Sequence, residues 1–292
     1  MNAKRILFAA FLYGALCGGL IGLPALASAA GLMDFLDPKT KEGKILSGAQ
    51  SVLGSSQQLD YKSERTIGEH LAVEGLRRYG MPSSRQAMQH YVNLVGLAVA
   101  MNSPRPNIPY RFVVVESPVQ NAFACPGGII FVTSALMQTV QTESQLAGIL
   151  AHEVAHVAHR HALKSIQRAQ FFSGVRQITA ATMKDDKGAQ FESMIGDLQN
   201  VLFDKGLDQN MEYEADATAM ETAYRTGYNP AGIMETLQSL QRLEASSTKK
   251  GSWFSTHPPL AKRIARNQAQ LKKYPDAGSL AVLADRYKSQ TH

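Results

Sequence analysis

The feature that most constrains this chain is His152-Glu153-Val154-Ala155-His156, set inside the apolar run that begins at Leu146. Two histidines four residues apart can face one ion if they lie on a helix, where positions i and i+4 stack on one face a turn apart. Thr142, with Gln145 three residues on, has the spacing of a capping box, so a helix is predicted to start just before Leu146. Zinc accepts neutral imidazole nitrogen and imposes no geometry through its d-electrons. Glu153 lies one step round from His152 and can border the metal without ligating it, which is the place of a general base. The bland alternative is a solvated helix face that carries two histidines.

A third ligand has to come from elsewhere. The extension H-E-x-x-H-x-x-G-x-x-H needs Gly at 159 and His at 162, where this chain has His159 and Ala162, so the metzincin arrangement is excluded. On a continuing helix His161 falls on the side away from His152, and His159 lies a full turn beyond the ion. Both are read as outer-shell or surface residues, with His161 packed and hydrogen-bonded. Glu212 and Asp216 are again four apart. Glu212 on a second helix would complete a two-His, one-Glu set for one Zn2+ per chain, with the open fourth position that catalytic zinc requires. Asp216 can accept the outward N–H of a ligating imidazole and fix its tautomer. Glu214 points away from this pair and reads as solvated. The acidic run also has a plainer explanation, that it only solubilises a helix.

Of the 292 residues, 45% are apolar and 18% charged, enough for a sizeable core and too little charge for wholesale disorder. The net charge of +6 is scattered. No Lys/Arg tract with interleaved aromatics offers a nucleic-acid footprint, while weak peripheral attraction to an anionic membrane surface is compatible with the charge. With only Cys17 and Cys125 present, a disulfide scaffold and a cysteine zinc cluster are both excluded.

Lys4 and Arg5 precede an uncharged stretch from Ile6 to Ala30 that contains Pro24 and Ala27-Ser28-Ala29. This is the pattern of a secretory signal peptide cut after Ala29, and it predicts a periplasmic protein. An uncleaved anchor is the alternative, since the stretch is long enough to span. A lipoprotein signal is disfavoured by Leu16 before Cys17. The expected organisation is a leader over 1–29, a loosely ordered lead-in over 30–60 and a single catalytic domain over 61–292.

Within that domain the periodicity predicts a helix from Lys62 to Tyr79 closed by Gly80, and a second, capped by Ser83 or Ser84, running to about Met101. Tyr110 to Glu116 and Ile129 to Thr133 read as strands, with a turn or bulge over 121–128 between them. The rest is helical, and the stretch from Ser165 to Leu207 offers additional helices to lid a cleft. The fold class is α+β, mostly α-helical.

The order of these motifs resembles the gluzincin metallopeptidases that include the CAAX prenyl proteases and the BepA-like periplasmic proteases. It is carried by Glu64-Arg65-x-x-Gly68, by Asn121-Ala122-Phe123-Ala124-x-Pro126-Gly127-Gly128 before a strand, and by His152 to His156 with Arg160-His161. Glu212-x-Glu214-Ala215-Asp216, Gly227-Tyr228-Asn229-Pro230 and Thr256-His257-Pro258 complete it. The resemblance implies a minimal gluzincin domain with His152, His156 and Glu212 on zinc, Glu153 as base and Asp216 behind the metal. It implies that Ile129–Thr133 is an edge strand beside the zinc helix, so that Gly127, Gly128, Ile129, Ile130, Phe131 and Val132 bind an extended substrate by β-augmentation. It gives His257 an active-site role, as a latch in the fourth zinc position or as an aid to the oxyanion, against the alternative of a capping loop before Pro258. Arg263 is a further oxyanion candidate. This chain departs from the BepA-like proteins in having no tetratricopeptide repeat.

The expected activity is cleavage of peptide bonds in unfolded or misassembled envelope proteins, lost below about pH 5–6 as the histidines protonate. One rival is a chaperone-like binding or assembly factor with a plugged zinc site, although such a site needs no general base. Another is a zinc hydrolase of a different bond, such as a cell-wall amide.

Overall fold

The computed structural model describes residues 59–166, 187–244, 253–257 and 260–291. The leader, and the lead-in up to residue 58, lie outside the described residues. So do 167–186 of the expected lid. The chain divides into two units, one of Met1–Ser63 with Thr182–Ser193, the other of Glu64–Ala181 with Met194–His292. Of the first unit, only residues 59–63 and 187–193 are described. There Asp60 accepts a hydrogen bond from the Ser63 amide at 2.8 Å, which caps a helix start.

The elements run α1 (Tyr61–Tyr79), α2 (Gln86–Met101), β1 (Arg111–Val115), β2 (Ala122–Cys125), β3 (Ile129–Thr133), α3 (Ser134–Thr139) and α4 (Glu143–Ala158). Then come α5 (Lys187–Asn200), a π-helical turn (Val201–Lys205), α6 (Gln209–Thr226), α7 (Gly232–Glu244), α8 (Trp253–Thr256), α9 (Leu260–Gln270) and α10 (Ala284–Thr291). Residues 161–166 are also helical. The architecture is mostly α with one small sheet, as the periodicity predicts. The expected serine cap of α2 is displaced: Arg85 is the capping residue, and Ser83 instead accepts from the Arg85 amide at 3.3 Å.

Two features of the sheet differ from expectation. The segment 121–128 is not merely a turn, because Ala122–Cys125 forms a strand antiparallel to β3, with Ala122 opposite Val132 and Cys125 opposite Ile129. The sheet order is β1-β3-β2, and β1 runs parallel to β3 with Arg111 opposite Ile129. Ile129–Thr133 is therefore the central strand, bonded on both sides, and cannot be the edge. The two edges are β1 and β2. Gln89 and Asn93 of α2 cap the outer side of β1, bonding the backbone of Phe112 and Val114 at 2.7–3.2 Å. Among the described residues no hydrogen bond reaches the outer side of β2, and this is the edge that borders the histidine helix α4.

Every residue of α4 is buried. It packs against α2, α6 and α7, and its approach to α7 is close enough to require two glycines. A Cβ on Gly148 would lie 2.5 Å from the Ile233 nitrogen, and one on Gly232 would lie 2.1 Å from the Ser144 oxygen. Thr142 caps α4 and accepts from the Gln145 amide at 3.2 Å, while the Gln145 side chain returns to the Gln141 amide at 2.9 Å, one residue upstream of a standard capping box. Glu143 in the first turn is buried yet fully partnered. It accepts from Tyr91 at 2.7 Å, Tyr228 at 2.6 Å and the Arg286 guanidinium. Its charge also complements the positive end of the helix.

Candidate metal centre

The i, i+4 spacing places His152 and His156 on one face of α4, their Nε2 atoms 2.9 Å apart. Across from them α6 presents Glu212, whose oxygens lie 3.5 Å from each of those nitrogens. The loop after α8 brings in His257. These four side chains offer ligand atoms within 4.8 Å of one another, all of them buried. A cation fits this set on chemical grounds. Two facing imidazole nitrogens need something electropositive between them. Among the described residues no donor meets the Glu153 oxygens or Glu212 Oε1 in good hydrogen-bond geometry, while Glu212 Oε2 is paired with Arg263 at 2.9 Å. Glu153, Glu212 and Asp216 are buried with Arg263, the one buried arginine among the described residues. That leaves excess negative charge in a dry site, which is costly unless a cation balances it.

The surroundings hold these donors in place. Asp216 Oδ1 lies 2.9 Å from His152 Nδ1, which leaves Nε2 as the nitrogen that faces His156 and Glu212. Burial opposes ionisation of Asp216, but Arg263, bonding both its oxygens at 2.6 and 2.8 Å, holds the carboxyl well below the usual range. Burial and Arg263 push His152 down, yet Asp216 and Glu212 outweigh them and raise it to about 9. In physical terms, a proton occupies the place a cation would take. Burial, reinforced by the charge of His152, keeps both His156 and His257 well below 6.5. Burial is also the main cause that lifts Glu153 to about 7, a value suited to a group that takes up and returns a proton near neutrality.

His257 is aimed by three contacts. Thr256 Oγ1 sits 2.9 Å from its Nδ1, its amide bonds the Trp253 carbonyl at 2.9 Å, and its ring stacks on Trp253 at 4.7 Å. Its Nε2 lies 3.6 Å from Glu153. Arg263 continues the stack over Trp253 at 4.7 Å and bonds the His257 carbonyl at 2.9 Å. The guanidinium is also 2.9 Å from Glu212 Oε2. Arg263 thus bonds Asp216, Glu212 and the His257 carbonyl, and it is not among the residues that line the adjoining cavity.

That cavity is lined by Glu153, His156 and His257 together with Glu64 and Arg160, and by apolar side chains that include Phe123, Leu163 and Leu202. Phe123 and Ala124 of β2 reach it, whereas Ile129, Ile130, Phe131 and Val132 do not. Gly127 and Gly128 form the β2–β3 turn at positive φ. A Cβ on Gly127 would lie 2.6 Å from the Arg65 Cα, and its amide bonds Glu64. These glycines serve close packing and do not face the cleft.

Two networks were not anticipated. Buried Glu64 pairs with Arg105 at 3.1 Å and Arg160 at 3.2 Å. Glu214, expected to be solvated, is half exposed but lies 3.2 Å from His161 and 3.5 Å from His159. The Glu64-Arg65-x-x-Gly68 and Arg160-His161 motifs were the available signals; neither names its partner.

Comparison with known proteins agrees with this geometry. The chain is 29% identical over 203 residues to the beta-barrel assembly-enhancing protease of Yersinia pestis, covering 66% of this chain and 41% of that protein. It is 31% identical over 170 residues to the metalloprotease LoiP of Escherichia coli, covering 58% of this chain and 66% of that one. The mitochondrial metalloendopeptidase OMA1 of Schizosaccharomyces pombe matches at 26% over 221 residues, 72% of this chain and 63% of its own length. The chain spans less than half the length of the beta-barrel assembly-enhancing proteases it matches. The profile of Peptidase family M48 matches residues 86–270, a span that runs from α2 to α9 and holds all the donors described above. The chain therefore belongs to peptidase family M48.

Proposed function

We propose that this chain is a zinc-dependent endopeptidase of the cell envelope, with the catalytic domain over 61–292. The observation that carries the reading is the pairing of a buried two-histidine, one-glutamate donor set with a carboxylate outside that set, Glu153, in the lining of a cavity bordered by β2. Bound zinc supplies Lewis acidity, polarising a peptide carbonyl and lowering the pKa of water. His152, His156 and Glu212 would hold it, with Asp216 and His161 bonding the outer nitrogens of the two rings. Glu153 takes a proton from water and returns it to the leaving amine. An extended substrate adds to the outer edge of β2, where main-chain bonds give grip without demanding sequence. This edge replaces the central strand Ile129–Thr133 in that role. It also suits unfolded chains, and the relatives named for beta-barrel assembly support envelope proteins as the substrates. The signal-like leader supports a periplasmic location. Among the described residues no helix is long and apolar enough to cross a membrane.

His257 completes a fourth donor and lies against Glu153, so in this arrangement it acts as a latch that must move before substrate enters. That same filled set favours a second reading, a binding or assembly factor whose site stays plugged. Degradation of an unfolded reporter protein by chain of measured zinc content separates the two. Wild type or His257→Ala should cleave, a chelator should stop cleavage, and zinc-loaded Glu153→Gln should be inactive, with a loss of at least about a hundredfold. Faster cleavage by His257→Ala identifies the latch, whereas slower cleavage makes the residue a catalyst. Zinc in every form with no cleavage by any of them favours the binding factor.

A further inference from the structure

His161 sits five residues after His156, a separation that on an unbroken helix would turn the two rings well apart. They nevertheless meet, with ring centroids 5.0 Å apart and Nδ1 atoms at 2.8 Å. The cause is Arg160. It adopts φ 56°, a left-handed conformation unfavourable for a non-glycine residue, and ends α4 so that the chain folds His161 back behind His156. The Glu64 carboxylate, 3.2 Å from Arg160 Nε, helps hold that turn.

This contact leaves no freedom in the protons. His156 presents Nε2 to His152 and Glu212, so as a neutral ligand it carries its proton on Nδ1. His161 Nδ1 must then accept, which puts the His161 proton on Nε2. That nitrogen faces Glu214 Oε2 at 3.2 Å, and an ionised carboxylate can only accept. His161 is fully buried, while Glu214 is half exposed. The other oxygen of Glu214 lies 3.5 Å from His159 Nδ1.

We propose that His161 and Glu214 are positioning residues for the metal, forming a relay in which Glu214 orients His161 and His161 holds the Nδ1–H tautomer of His156. The relay rests on the reading of His156 as a zinc ligand. It gives the second imidazole the support that Asp216 gives the first, through one intervening ring and out to solvent.

The test uses the full chain and two readouts, the zinc dissociation constant by chelator competition and the His156 tautomer by side-chain 15N NMR of the metal-free protein. Removing an outer partner of a ligating histidine weakens metal binding about 10–100-fold. His161→Phe should show a loss of that size, and Glu214→Ala should show about tenfold with mixed His156 tautomers. Glu214→Gln, whose amide oxygen still accepts, should stay near wild type. If His161→Phe does not fold, the half-exposed Glu214 variants decide. Unchanged zinc affinity in Glu214→Ala, or a wild-type His156 protonated on Nε2, would overturn the relay and leave the zinc reading standing. A wild type that takes up no zinc would sink the zinc reading, and the tautomers of the metal-free chain would then decide the relay alone.

Discussion

The two histidines proposed as ligands, His152 and His156, are backed in different ways. Behind His152 stands Asp216, buried, with both oxygens bonded by the buried Arg263. Behind His156 stands His161 and then Glu214, whose side chain is half in water. The first arm is a charged pair in a dry interior. It is rigid because neither partner can leave without stranding the other. The second relays orientation through a neutral ring and ends in a solvent-screened carboxylate. The same task, fixing an imidazole tautomer, is thus done once by an arrangement tied to folding stability and once by one that can be altered with little effect on the fold.

Arg263→Met gives the largest expected effect. It leaves Asp216 and Glu212 buried without their counter-charge and should cost about 3–5 kcal/mol in the metal-free chain, read from urea unfolding. Glu214→Ala should cost less, about 1 kcal/mol, because water can enter the place of a half-exposed carboxylate and take up the hydrogen bond of His161. Equal losses would erase the distinction between the arms. Zinc should recover part of the Arg263→Met loss, because a bound cation restores charge balance and binds only the folded form.

Asp216→Asn sharpens the same contrast in metal binding. The amide can still face His152, but the charge and the two-point contact with Arg263 are gone. Zinc affinity should fall about 10–100-fold and by more than in Glu214→Ala. A smaller loss than in Glu214→Ala would mean that the solvent-side arm is the principal support.

How much of this was legible depended on range. The donors were readable because helical spacing is local: His152, His156, Glu212 and Asp216 occupy i, i+4 positions whatever the rest of the fold does. The sheet order was not readable, because β1 pairs with β3 in parallel across an intervening strand. The small residues Ala122, Ala124 and Cys125 also give β2 little strand signature. Arg263 was visible as a basic residue near the site, but its burial among two carboxylates, an indole and a carbonyl depends on how α9 packs on α6. The turn at Arg160 was hidden too. No glycine or proline marks it, so helical spacing shows His161 as a packed, non-ligating residue but not that it meets His156 on one side and Glu214 on the other.

A last contrast, in pH dependence, singles out the solvent-side arm. Burial is the main cause that lowers His161 from 6.5 to about 4, with His159 and Lys164 adding to it and Glu214 opposing. The folded state therefore holds His161 neutral between about pH 4 and 6.5, where the unfolded chain protonates it. The unfolded state binds more protons across that window, so stability falls as pH drops through it. His156 and His257 are also depressed and add slope of the same sign. Glu153, raised by burial to about 7, adds slope of the opposite sign over much of that window, and the raised His152 acts above it. Subtraction isolates His161: in the metal-free protein, unfolding free energy should fall less steeply from pH 6.5 to 4 in His161→Phe than in wild type. Parallel slopes would show that His161 keeps its ordinary titration in the folded chain, and the neutral relay would then fail in mild acid. A shallower slope that leaves Asp216→Asn unaffected in the same window would place the pH response on the side of His156.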